Sequence, residues 1–279
     1  MNAVQVMTLA QFGQNEPWFN TLVHVQRGGL LLWITRGQGV IHMHGQRRGF
    51  SANNAIYIPP QHLWAVDLGR QTLGQAMLLP PALANSFPTS EKLLRVNDGL
   101  CQSELTGLIE DMRREIQQDR PFVEDAVAAQ STLVGIWLQR QVALHPAPSK
   151  PKASERLMRR FCDLAVKEVG TGKSMADIAD SLNVTPTHLS RVSRQSAGMT
   201  AADILIQTLV HESRLRLTQS TASFKTISEE LNFGSAAYFT RFIQQHCGMT
   251  PSRLRQMAQK QNPSGFKSAQ FQEPNRQIA

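Results

Sequence analysis

Over roughly the first 85 residues the apolar runs are short and broken by Gly, Pro and Asn, the rhythm of strands joined by turns. Leu30–Pro60 shows it best. An apolar strand (LLLWI) leads to a Gly37-Gln38-Gly39 turn, a short strand, a His44-Gly45 hairpin and a strand ending in Ile58-Pro59-Pro60. The pattern then changes period. From about 91 to 144 it predicts helices, with Leu105, Leu108, Ile109, Met112 and Ile116 at helical spacing and a second apolar stripe in Val127–Val142 that includes Val134 and Trp137. Residues 145–154 (HPAPSKPKAS) carry three prolines, which deny helix and central strand, so they read as an extended linker. Residues 155–258 are helical in pattern almost throughout, and 259–279 form a polar tail without periodicity, expected to be disordered. The boundaries expected are therefore 1–144, 145–154, 155–258 and 259–279.

The helical region repeats itself. Ile178–Thr200 (IADSLNVTPTHLSRVSRQSAGMT) and Ile227–Thr250 (ISEELNFGSAAYFTRFIQQHCGMT) align at Ile178/Ile227, Leu182/Leu231, Asn183/Asn232, Arg191/Arg241 and two Gly-Met-Thr triplets. Each copy has the logic of a helix-turn-helix. In the first, Ser174 caps a helix with Ile178, Ala179 and Leu182 inward, and Asn183, tolerant of left-handed backbone, ends it. Thr185 then caps a second helix with Pro186 at its first position and Leu189 and Val192 inward. Thr187, Ser190, Arg191 and Arg194 share its outward face. In the second copy Ser235 is the cap, Phe239 and Ile243 face inward, and Ala236, Ala237, Thr240, Arg241 and Gln244 face outward. An outward Arg beside Ser or Thr can read base edges, because guanidinium bonds bidentately to guanine and each such pair discriminates by roughly 1–3 kcal/mol. Between the copies, Thr200 and Asp203 form a box-like cap on a helix of about 19 residues. At about 28 Å it suits a spacer between helices serving grooves about 34 Å apart.

Charge sharpens this division. The chain of 279 residues has a net charge of +8, yet residues 1–149 hold 11 Lys and Arg against 11 Asp and Glu, while residues 150–260 hold 16 against 9. The excess sits on the repeated half, which therefore suits a polyanion such as double-stranded DNA. Other classes recede. The longest apolar run, Leu30–Ile34, is far short of a membrane span, and no basic residue precedes Arg27 to begin a signal peptide, so a cytoplasmic protein with no membrane partner is expected. Three widely spaced cysteines, Cys101, Cys162 and Cys247, offer neither a disulfide framework nor a zinc finger.

These residues carry a family resemblance. Arg156 to about Ala258 resembles the DNA-binding domain of AraC/XylS-type bacterial transcription regulators. The stretch NFGSAAYFTRFIQQHCGMTPSRLR is similar to the family's closing signature: a Gly-Phe turn, an aromatic-Phe-x-Arg helix, then Gly-x-Thr-Pro and a basic end. Asn232 stands where Gly is usual, Ile243 where Phe is usual, and Ser193 in an aromatic position of the first copy. The resemblance implies that outward residues of the second helix in each copy read bases, that RNA polymerase is a partner, and that the apolar stripes of 105–116 and Val127–Val142, which by themselves read as core, carry a homodimer contact. Residues 20–80 resemble the same family's cupin-like sensor barrel, which implies a small-molecule effector. His24, Trp33, Arg36 and His62 are the candidate lining residues, although core packing and solvated charge explain Trp33 and Arg36 nearly as well.

A metal site is the rival chemistry, suggested by His42-Met43-His44 with His62 further on. Its placement argues against it: metal-binding cupins put His-x-His before the apolar strand with a Glu following, and here Leu30 occupies that place. No metal, other cofactor or catalytic residue is assigned. The expected fold class is α+β multidomain, an N-terminal cupin-like β-barrel with a helical segment followed by an all-α tandem helix-turn-helix domain. The expected function is a ligand-responsive transcription activator; the alternative is a metal-dependent cupin enzyme with an accessory helical domain.

Overall fold

A computed structural model describes residues 3–14, 17–145 and 152–261. All three prolines of the 145–154 linker and nearly all of the 259–279 tail lie outside those residues. The chain divides into two compact units, one of residues 1–167 with 174–207 and the other of 168–173 with 208–279.

Among the described residues of the first unit, nine strands form two antiparallel sheets. β1 (Gln5–Thr8), β3 (Gly29–Arg36), β6 (Asn54–Ile58), β8 (Leu73–Leu79) and β9 (Lys92–Arg95) lie in the order β1-β8-β3-β6-β9. β2 (His24–Val25), β4 (Gln38–Met43), β5 (Gln46–Ser51) and β7 (Leu63–Leu68) lie in the order β2-β7-β4-β5. The expected closed barrel is thus corrected to two separate sheets, with no strand pairing between them among the described residues. The reason lies in the LLLWI run. Leu30, Leu32 and Ile34 enter one core with Ile41, Phe50, Ile56 and Trp64 between the sheets, while Leu31 and Trp33 point the opposite way into another. A strand apolar on both faces needs a layer on each side. The outer layer is α3 (Gly99–Gln118) and α4 (Val123–Leu144), which bring Leu105, Ile109, Met112, Val134, Trp137 and Leu138 onto Leu31, Trp33 and Tyr57. Short helices α1 (Leu9–Gln14) and α2 (Pro17–Thr21) precede β2, and Leu9 and Phe12 of α1 help fill the space between the sheets. The His44-Gly45 hairpin forms as expected, with φ of 45° and 83° at its two residues, the left-handed pair that a two-residue turn requires.

The outer face of the four-stranded sheet is also covered. α5 (Ala153–Glu168), α6 (Met175–Ser181), α7 (Pro186–Ala197) and the start of α8 (Ala201–Gln219) build one core from Met158, Phe161, Cys162, Ile178, Leu189, Val192 and Ile204, and Val23, Leu63 and Ala65 of the β region belong to it. The second unit contains the rest of α8 with α9 (Phe224–Glu230), α10 (Ala236–Cys247) and α11 (Pro251–Gln261), the last running past the expected boundary at 258. Phe233 is its packing centre, with ring centroids 5.1 Å from both Phe239 and Phe242. Arg255 closes the unit by donating to the carbonyls of Leu217 and Ala222 while lying over the Phe224 ring.

Candidate nucleic-acid interface

Both repeated motifs are built from the same local devices. Ser174 accepts from the Asp177 N–H and Asp177 accepts in return from the Ser174 N–H, a complete capping box at the start of α6. Asn183 (φ 56°) turns the chain, Thr185 accepts from the His188 N–H, and Pro186 opens α7. In the second copy Ser223 caps α9, Asn232 (φ 53°) makes the turn, and Ser235 accepts from the Tyr238 N–H to start α10. Both helices end on a left-handed glycine, Gly198 and Gly248. The Thr200–Asp203 box opens α8, with the Asp203 N–H donating to the Thr200 hydroxyl, and the Thr200 hydroxyl and N–H, both bonding to the Asp203 carboxyl, hold it below the usual range.

On α7, Leu189, Val192 and Ser193 are buried while Thr187, His188, Arg191, Arg194 and Gln195 are exposed and Ser190 is half-buried. On α10, Phe239, Phe242 and Ile243 are buried, Ala237, Tyr238, Arg241 and Gln244 are exposed, and Ala236 and Thr240 are half-buried. Each element therefore offers water a face with one arginine in the same register. The Thr240 hydroxyl donates to the Ala236 carbonyl at 2.9 Å, so it is engaged within its own helix. Ser193 answers the doubt raised by its aromatic-type position: the fully buried hydroxyl donates to the Met199 carbonyl at 2.8 Å, satisfying a backbone acceptor where a ring would have supplied bulk.

Two exposed residues escaped the sequence reading. His188 and Tyr238 occupy the same third position of α7 and α10, and the Arg191 guanidinium lies 3.3 Å from the His188 ring nitrogen Nδ1. Extending the internal alignment to polar and aromatic pairs would have found them, since His and Tyr combine a flat ring with a hydrogen-bonding group.

The four effector candidates occupy four different surroundings. His24 is buried against Trp64, its ring centroid 4.6 Å away, and Nδ1 donates to the Leu22 carbonyl; burial lowers its pKa to about 4. Trp33 lies in the sheet-to-helix core with its indole N–H on Thr106 Oγ1 at 3.0 Å. Arg36 is exposed at the end of β3. The His62 ring lies tilted against His44, centroids 4.3 Å apart, and faces Glu91 at 3.5 Å. Side chains fill the space between the sheets. A cavity of about 10 Å³ lined by Val23, His42, His44, Leu63, Cys162 and Ile204 has room for one water and not for a metabolite. Within it, burial and the neighbouring His62 lower the pKa of His44, whose Nε2 lies 2.9 Å from Asp163 Oδ1. Among the described residues no three of His, Cys, Asp and Glu are placed to hold a metal ion, and no helix is long and apolar enough to cross a membrane.

Residues 178–257 match the helix-turn-helix domain family. The bifunctional transcriptional activator/DNA repair enzyme AdaA of Bacillus subtilis (strain 168) is 28% identical over 102 residues, 37% of this chain and 47% of that protein, so the chain spans about half the length of this relative. Among solved structures, unsaturated fatty acid-bound wild-type ToxT of Vibrio cholerae strain SCE256 is similar at 14% identity and a TM-score of 0.42, covering 92% of each chain. The AraC-like transcriptional activator CuxR is similar at 10% identity and a TM-score of 0.31, covering 72% of this chain and 70% of that one. The match over 178–257 takes in both turns and both arginine-bearing helices, so this part of the chain is a helix-turn-helix domain.

Proposed function

We propose that this regulator binds DNA sequence-specifically, with α7 and α10 each reading its own major groove through Arg191 and Arg241, and that it acts in the cytoplasm as an activator contacting RNA polymerase. The observation that carries this reading is the recurrence of one object: a capped helix with a buried apolar face and an exposed arginine, Arg191 or Arg241, at the matched position. Thr187, Ser190, Arg194, Ser235, Ala236, Ala237, Thr240 and Gln244 belong to the same proposal as neighbours of those arginines. Small residues at the start of α10 let its backbone approach a groove closely. Activation is supported by the described activity of the Bacillus relative. A homodimer is supported by α4, which leaves Leu133, Ile136 and Leu144 exposed.

An effector for the β region belongs to the reading as well. It would act by favouring one arrangement of the chain over another, since a ligand shifts an equilibrium only by its differential affinity. Selection of duplexes from a random pool tests the whole. The full chain should enrich one site. Arg191→Ala and Arg241→Ala should each relax preference at a different subsite by about 1–3 kcal/mol per base pair. Uniform weakening at every position would assign both arginines to phosphates, and a pool left unenriched would remove sequence-specific binding. Repeating the selected-site titration with metabolite fractions tests the effector, which is excluded if the dissociation constant never moves.

A further inference from the structure

We propose that Arg47, on the edge strand of the β region, is a DNA-phosphate contact that extends the reading surface of α7; this rests on the proposed DNA reading of α7. The outward stripe of α7 runs Thr187, Arg191, Arg194, and the next residue in that series, four further on, is Gly198 at the helix C-cap. Arg47 lies against it. Its Cδ is 3.1 Å, and its Nε 4.0 Å, from where a side-chain carbon on Gly198 would stand, so the arginine stem packs closely on the bare glycine backbone. The three guanidinium groups thus belong to one edge of the unit, two supplied by α7 and one by β5.

The hairpin bearing Arg47 is tied to the helical part of the same unit. Ser196 of α7 donates to the Gly45 carbonyl at 2.8 Å, His44 meets Asp163 of α5, and a side-chain carbon on Gly45 would stand 2.9 Å from the Cys162 sulfur and 3.1 Å from Met158. These contacts set Arg47 beside α7 rather than leaving it on a free loop. It is exposed, and no carboxylate among the described residues forms an ion pair with it. Its neighbour Arg48 is exposed too, but differs in direction and in engagement. Strand alternation sends Arg48 to the opposite face of β5, and the Gln46 side-chain oxygen holds its Nε and Nη2 at 3.2 and 2.7 Å. A helix seated in a major groove is flanked on both sides by phosphates, and a guanidinium at the end of its base-facing stripe is placed to meet one, positioning the helix without reading sequence.

The contrast between the adjacent arginines supplies the test. Binding of the full chain to its selected duplex is titrated between 50 and 200 mM salt for wild type, Arg47→Gln, Arg48→Gln and Arg191→Ala, with thermal midpoints measured for each. Loss of one phosphate contact lowers the log–log salt slope by about 0.9, so wild type should lose about 3- to 4-fold more affinity over that range than Arg47→Gln. Arg47→Gln should also weaken specific and nonspecific duplexes equally, and Arg48→Gln should match wild type. An unchanged slope in Arg47→Gln, whether or not affinity falls, overturns the proposal, because a purely structural role beside the C-terminus of α7 moves affinity without moving the slope. If Arg191→Ala relaxes base preference while Arg47→Gln behaves as wild type, the DNA reading stands and only this inference fails. If wild type binds no duplex, both fall.

Discussion

His24 shows how one side chain makes stability depend on pH. In the folded chain it is enclosed by Trp64 and Phe19 and donates to the Leu22 carbonyl, and burial lowers its pKa from 6.5 to about 4. The neutral form is the one the fold accepts. Above pH 6.5 both folded and unfolded chains carry neutral imidazole, and the contribution is complete; between 6.5 and about 4 the unfolded chain binds the extra proton, so stability falls as pH falls. The loss should approach about 3 kcal/mol near pH 4 and be absent from His24→Phe, as urea midpoints at pH 7.5 and 4.5 would show. Equal pH dependence in the two proteins would exclude His24 as the source. His24 stood out in the sequence as a histidine near an apolar strand, and its enclosure by Trp64 and Phe19 became visible only in the tertiary structure. Ser193 is the complementary case: the sequence marked a deficit of apolar bulk, and the compensating Met199 carbonyl could not be seen without the turn that brings it back.

At the scale of elements, the helix-turn-helix units were legible because their signals are local. Caps, left-handed asparagines and the Pro at the first position of α7 act within four residues of themselves, so their placement in the sequence is nearly their placement in space. Asn183 tests this reading. At φ 56° an alanine pays a steric cost that glycine does not, so Asn183→Ala should destabilise by about 1–2 kcal/mol while Asn183→Gly stays within about 0.5 kcal/mol of wild type, read as urea midpoints at constant m. Similar losses in both would mean that the side chain, not the backbone conformation, carries the stability. Asn232 differs, since its amide also donates to the Gly170 carbonyl, so its side chain joins two segments of the second unit. The β elements were less legible. Strand existence followed from alternation, but β9 falls inside the stretch read as helical, and pairing order depends on partners far along the chain.

For the whole molecule, the sequence divides at the proline-rich stretch 145–154, and in space Val23, Leu63 and Ala65 from before it share a core with Met158, Phe161, Ile178 and Leu189 from after it. Truncating a residue in that core should be felt on both sides of the linker. Leu63→Ala is expected to cost about 2–5 kcal/mol and to speed amide exchange in α5–α7 as well as in β7. If α5–α7 keep their protection in this variant, the shared core carries no coupling.

What the sequence determined by itself was whatever short-range chemistry encodes: the duplicated motif, its caps and turns, the exposed arginines, and a charge excess confined to the repeated half. Tertiary structure alone decided which face of an apolar strand meets which layer. It opened the expected barrel into two sheets, sent Trp33 into a helix-covered core, and laid Arg47 beside α7. The physical reason is that hydrophobic burial is non-directional. An apolar pattern states that a face must be covered but not by what, whereas a cap or a left-handed turn names its partner within a few residues.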